Sequence, residues 1–174
     1  MGRAFNKIEI TDAVSGELID LEECEPEELV WYPGAMRQSY AVDDLRIQLE
    51  LRFVTNRTSM VRTSIINQSN RARRLSLSWT GTLMRYYKAP YRDAMSLWPQ
   101  HDGITVAFAN IPGYSTGTER FTIRYPFPVE AKVDGYTYTV QAPGHIDLAP
   151  GSEWAFATTS SLTFTKDEDA REQA

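Results

Sequence analysis

Leu45-Arg46-Ile47-Gln48-Leu49-Glu50-Leu51-Arg52-Phe53 is the stretch that decides the fold. Apolar residues fill its five odd positions and polar ones the four even positions between them. A period of two puts the two sets on opposite faces of an extended strand. The polar set carries both signs of charge, as the wet side of a half-buried sheet does.

Weaker copies of the rhythm follow along the chain. Leu75, Leu77 and Trp79 alternate with serines; Ile104, Val106 and Phe108 with Thr105 and Ala107; Phe121, Ile123 and Tyr125 with Thr122 and Arg124. Val129-Ala131-Val133, Tyr136-Tyr138-Val140 and Trp154-Phe156-Thr158, leading into Leu162 and Phe164, repeat it. Asp134-Gly135 between two such runs is a strong hairpin signal. Ser15-Gly16, Ser69-Asn70, Asp102-Gly103 and Pro150-Gly151 are further turn dipeptides. Many short strands with frequent turns predict an all-β, antiparallel two-sheet β-sandwich of the supersandwich kind with little helix, over residues 1–165. Residues 166–174 are charged and helix-tolerant and read as the start of a linker. Glu22 to Leu29 is acidic and read as one helical turn, and Met84 to Gln100 as a long aromatic loop.

The composition bounds the chemistry. The chain has 174 residues, a net charge of -5, one cysteine and two histidines. Its pI of about 5.1 argues against a nucleic-acid partner, which calls for a basic surface. One thiol permits no internal disulfide, and Cys24 with His101 and His145 is too few for a zinc-finger site. A lone thiol suits the cytosol and equally a periplasmic protein without bridges. No apolar run is long enough to cross a bilayer. No Gly-rich phosphate loop is present, so no cofactor is expected.

No catalytic set stands out. His101 and His145 lie at turns and read as solvated. Cys24 sits among Glu22, Glu23 and Glu25, whose charge opposes thiolate formation. Asp43, Asp44, Asp93 and Glu119 are unspecific carboxylates, and Asp167-Glu168-Asp169 a solvated run. Asn56-Arg57-Thr58 and Asn67-Gln68-Ser69 match the glycosylation triplet. In the aromatic loop, Tyr86, Tyr87, Tyr91 and Trp98 read as packing on the sandwich itself, as a domain interface, or as sugar-stacking platforms. Arg57 reads as a turn anchor bridging backbone carbonyls, or as a contact to a neighbouring domain.

Tyr32-Pro33-Gly34-Ala35-Met36 and Leu51-Arg52-Phe53-Val54-Thr55-Asn56-Arg57-Thr58-Ser59 resemble the N-terminal domain of bacterial glycoside hydrolase family 63 enzymes, of the periplasmic α-glucosidase or mannosylglycerate hydrolase type. Trp79-x-Gly81-x-Leu83, Asp102-Gly103-Ile104-x-Val106-x-Phe108, Pro128-Val129 and Asp134-Gly135 continue the resemblance in order. It implies a non-catalytic β-sandwich that packs on a C-terminal (α/α)6 domain of the same polypeptide, where the catalytic carboxylates reside. It also implies a periplasmic or secreted parent and further strands ahead of Phe5. Two alternatives stay open: a stand-alone module that binds oligosaccharide through the aromatic loop, and a structural domain that forms a homodimer through exposed sheet edges.

Overall fold

The computed structural model describes residues 5–83 and 94–172. Strands run in the order β1 (Lys7–Asp12), β2 (Leu18–Ile19), β3 (Glu28–Tyr32), β4 (Ala35–Val42), β5 (Leu45–Phe53), β6 (Thr58–Asn67), β7 (Arg73–Thr82) and β8 (Met95–Gln100). They continue as β9 (Gly103–Phe108), β10 (Asn110–Ile111), β11 (Ser115–Thr116), β12 (Arg120–Arg124), β13 (Glu130–Asp134), β14 (Thr137–Gln141), β15 (Ile146–Leu148) and β16 (Glu153–Thr163), and end in helix α1 (Lys166–Glu172). One sheet has eight strands in the order β3-β4-β5-β6-β16-β12-β9-β8. The second large sheet has six, in the order β13-β14-β7-β1-β2, with β15 beside β14 along β7, and β10 and β11 form a separate two-stranded ribbon. All pairings are antiparallel. The two-sheet reading of the hydrophobic rhythm therefore holds.

The core lies between the sheets. The larger sheet supplies Ile47, Ile65, Ile104, Ile123 and Phe156, and the smaller one Ile10, Leu75, Leu77, Trp79 and Val140. Trp79 meets Phe156 edge-on at 5.7 Å and Tyr125 at 4.5 Å. Each fully buried aliphatic side chain here is worth about 1.5–3 kcal/mol.

Two expectations are corrected. Met95–Gln100 is a strand, not a loop, with Trp98 opposite Thr105. Pro99 disguises it, yet β8 is a sheet edge, where a missing N–H costs no ladder bond. Tyr86, Tyr87, Tyr91 and Asp93 lie outside the described residues. Glu22–Leu29 forms no helical turn. Asp20 holds it as a bend: its carboxylate accepts the Glu22 N–H at 2.9 Å and its carbonyl the Cys24 thiol at 3.2 Å. The chain then enters β3 at Glu28.

Buried polar groups tie the ends of the sandwich. Asn67 is fully buried. Its amide donates to the carbonyls of Arg71, Leu148 and Ala149, and its oxygen accepts from Ser69. That satisfies the side chain, so the Asn67 triplet is a structural hub and offers no surface for a glycan. Arg73 and Asp12 form a nearly buried ion pair at 3.0 Å. The N–H groups of Ser15 and Val14, with Arg73, hold the Asp12 carboxyl below its ordinary value.

At the other end, Tyr138 donates to the Phe5 carbonyl at 2.7 Å, and both Tyr138 and Tyr125 reach Asn6 Oδ1 at 3.1 Å. Burial pushes both phenols well above the usual range, so they remain neutral donors. Gly81 makes this possible, because a Cβ there would overlap the Phe5 carbonyl and the Tyr138 ring. Gly81→Ala is therefore expected to destabilise the chain by about 1–3 kcal/mol in urea unfolding, the usual cost of overpacking. A lowered carboxyl pKa contributes stability above its unfolded value, and that contribution is lost as pH falls through the folded value. Asp12→Asn should thus unfold at lower urea than the parent sequence near neutral pH, and the gap should close progressively below about pH 4.

Candidate functional site at the uncovered end of the large sheet

The register assigns faces to the eight-stranded sheet. Leu29, Gln38, Leu49, Thr63 and Phe156 form one cross-strand row on the inner face. Trp31, Met36, Leu51, Val61 and Thr158 form the next, and Phe53, Ser59 and Ser160 the row beyond. Charged residues alternate with them on the outer face, where Arg37 pairs with Glu28 at 2.7 Å and Arg62 with Glu153 at 3.1 Å.

The smaller sheet covers the inner face only in part. Ile47 and Ile65 are sealed, and Phe156 sits under Trp79. One row on, Thr158 is still buried, Met36, Leu51 and Val61 are half-buried, and Trp31 is 80% exposed, so cover is lost toward the β3 edge. Phe53 is 67% exposed, and Leu29 and Val54 also stand open. Where the sheets part, a cleft of about 1160 Å³ opens, lined by Tyr40, Leu49 and Val61 on one side and Ile8, Trp79 and Tyr138 on the other. An apolar band thus runs out of the core onto the surface. Such a patch on a domain marks an interaction surface.

Local hydrogen bonds shape the turns that carry the band. Gly34, at φ 78°, turns β3 into β4, and its carbonyl accepts the Phe53 N–H at 3.2 Å. After Phe53, the Thr58 carbonyl accepts the Val54 N–H at 2.9 Å, and Thr55 Oγ1 accepts from the N–H groups of Arg57 and Thr58. Arg57 does stand at this turn. Its guanidinium, however, meets Glu168 at 3.0 Å and lies 4.5 Å over the Phe164 ring, in place of the expected backbone carbonyls. The α1 segment brings that carboxylate and ring within reach.

The other candidates do not assemble. His101 occupies the β8–β9 turn, where its carbonyl accepts the Val129 N–H at 2.9 Å. His145 Nδ1 lies 2.9 Å from Ser76 Oγ on the exposed outer side of the smaller sheet. The nearby Asp147 is held by Arg74, at 2.7 and 3.3 Å, and does not orient the imidazole. Asp43, at φ 51°, and Asp44 form the β4–β5 turn, and Glu119 accepts the N–H groups of Thr116 and Gly117. These carboxylates build turns. Trp98 lies on β8, apart in sheet order from β3 and β5. No cluster of three metal-ligating side chains occurs among the described residues. Leu29, Trp31 and Val54 were not legible as a site. The one signal for Leu29 and Trp31 is an apolar run, Leu29-Val30-Trp31-Tyr32, that a half-buried edge strand does not need.

Residues 1–174 match the family described as glucosidase YgjK, N-terminal. The chain belongs to this family. Among solved structures, the domain resembles a polysaccharide lyase (12% identity, TM-score 0.64), covering 98% of this chain and 27% of the lyase. It also resembles a protein described as a kojibiose phosphorylase from the human microbiome (13%, TM-score 0.58; 97% and 24% covered). A third is a galactose mutarotase-like protein from Lactobacillus casei (8%, TM-score 0.60; 91% and 85% covered). At these identities the likeness is one of fold. This chain spans about a quarter of the length of the first two proteins.

Because Trp31 and Phe53 contribute little to this domain's own core, the Trp31→Ser, Phe53→Ser double variant should unfold within about 1 kcal/mol of the parent sequence. The same change should reduce binding of a fluorescent apolar dye by the native chain.

Proposed function

We propose that this chain is the non-catalytic N-terminal domain of a glycoside hydrolase of family 63 type acting on α-glucosides, and that its apolar band packs on a C-terminal (α/α)6 catalytic domain and helps shape the active-site side. Membership of a glucosidase N-terminal family supports a linked catalytic domain. The observation that carries the packing is the band itself. Trp31, Leu51 and Phe53 continue the core face of the sheet past the end of its partner sheet. Tryptophan at the centre of an interface is a common energetic anchor. The C-terminal helix lies beside the same end, with Glu172 bonded to Thr55 and Thr58.

The test uses the parent polypeptide and its two parts. This chain alone is expected to release no glucose from maltose-type oligosaccharides, and to bind the separately produced catalytic part. Trp31→Asp with Phe53→Asp should weaken that association by at least about 100-fold, the loss of a hot-spot pair. Unchanged association would refute the packing site, and hydrolysis by this chain alone would refute the non-catalytic reading. The same exposed indole favours one second reading, direct sugar stacking, which calorimetry with those oligosaccharides distinguishes by heat that Trp31→Ala abolishes.

A further inference from the structure

Helix α1 buries none of its side chains. Its seven residues are too few to be helical unaided, since isolated helices shorter than about 12–15 residues are marginal in water. Carboxylates hold it in place. Glu168 pairs with Arg57 at 3.0 Å, and its second oxygen accepts the Phe164 N–H at 2.8 Å. Glu172 accepts from Thr55 at 3.2 Å and from Thr58, and Asp169 from Thr163 at 3.4 Å. Arg57 is the one cation in these contacts. It is half-buried and rests on the Phe164 ring at a distance suited to cation–π attraction. Its Nε is buried without a partner among the described residues, so Glu168 and Phe164 alone orient the guanidinium.

We propose that α1 is a strap whose helical state depends on Arg57: docked, it fixes where the chain leaves the β5–β6 turn, and undocked, it melts while the sandwich stays folded. The bearing on a following domain rests on the function proposed above; the latch itself does not. Threonine contacts to Glu172 are exposed or only partly buried, and each competes with water. The Thr165 hydroxyl, which accepts the Glu168 N–H at 3.1 Å, and the Glu168 bond to the Phe164 N–H cap the first turn at exposed positions, so the half-buried Arg57 pair and its ring contact are the part of the dock best shielded from water. Arg57 is in this sense a positioning residue.

The latch is measured on this chain alone, so its failure is separate from failure of the domain packing. Backbone amide exchange is followed by NMR at Asp169, whose N–H bonds the Thr165 carbonyl, and at residues 170–172. Arg57→Gln should raise exchange there by about tenfold or more, the behaviour of a locally unfolding segment, and leave the slow core amides of β6 and β16 unchanged. Arg57→Lys, which keeps the cation beside Glu168 and the Phe164 ring, should retain much of the protection. Exchange at these amides unaltered by Arg57→Gln overturns the proposal. So does loss of core protection in step with α1, which would make Arg57 a global stabiliser, or an Arg57→Lys variant that exchanges as fast as Arg57→Gln.

Discussion

One mismatch governs this molecule: large apolar side chains on the inner face of the large sheet extend beyond the part that the small sheet covers. Ile47 and Ile65 lie under the small sheet, while Leu51 and Phe53, on the same strand face as Ile47, do not. A β-sheet must bury its apolar side against another layer. Within this chain that requirement is met for part of the face and left unmet at the end carrying Trp31 and Phe53. A cleft between the sheets opens next to that end, at Leu49 and Val61. A partner surface that completed the layer would turn the exposed rows into core.

The remaining specificity comes from polar groups placed where the layers end. Asn67 closes one end by satisfying three carbonyls, and the Arg73–Asp12 pair stands in the same region of the smaller sheet. Tyr125 and Tyr138 pin the N-terminal segment through Asn6 and the Phe5 carbonyl. Arg57 and the carboxylates of α1 do the same for the C-terminal segment. Buried polar groups add modest net energy when satisfied, but their loss is costly, so they fix one arrangement of the chain. Both chain segments are thus bound to the sandwich by directional contacts, and among the described residues the apolar band keeps its exposure.

The fold class was legible because period-two alternation is a local property. The runs at Leu45, Leu75, Phe121 and Trp154 correspond to β5, β7, β12 and β16, and Asp134-Gly135 to the β13–β14 hairpin. Strands β4 and β6 were less visible. Their outer faces carry Ser39 and Ser64, small polar residues buried beneath neighbouring charged side chains, and this blurs the contrast between faces. Strand β8 was hidden by Pro99. The site was scarcely legible at all. Alternation shows which side of β5 is apolar, but how far the opposing sheet extends depends on pairings remote in sequence. Arg57 was readable as a turn residue, whereas its carboxylate partner lies 111 positions away.

The central claim, that a catalytic domain covers the open end of the large sheet, is tested most directly by comparing backbone hydrogen exchange in this chain with that in its intact parent polypeptide. Slower exchange in the parent at residues 29–32 and 51–54, with the outer-face strand pairs around Arg62 and Glu153 unchanged, is the predicted result. Equal exchange at those residues in both proteins would contradict it.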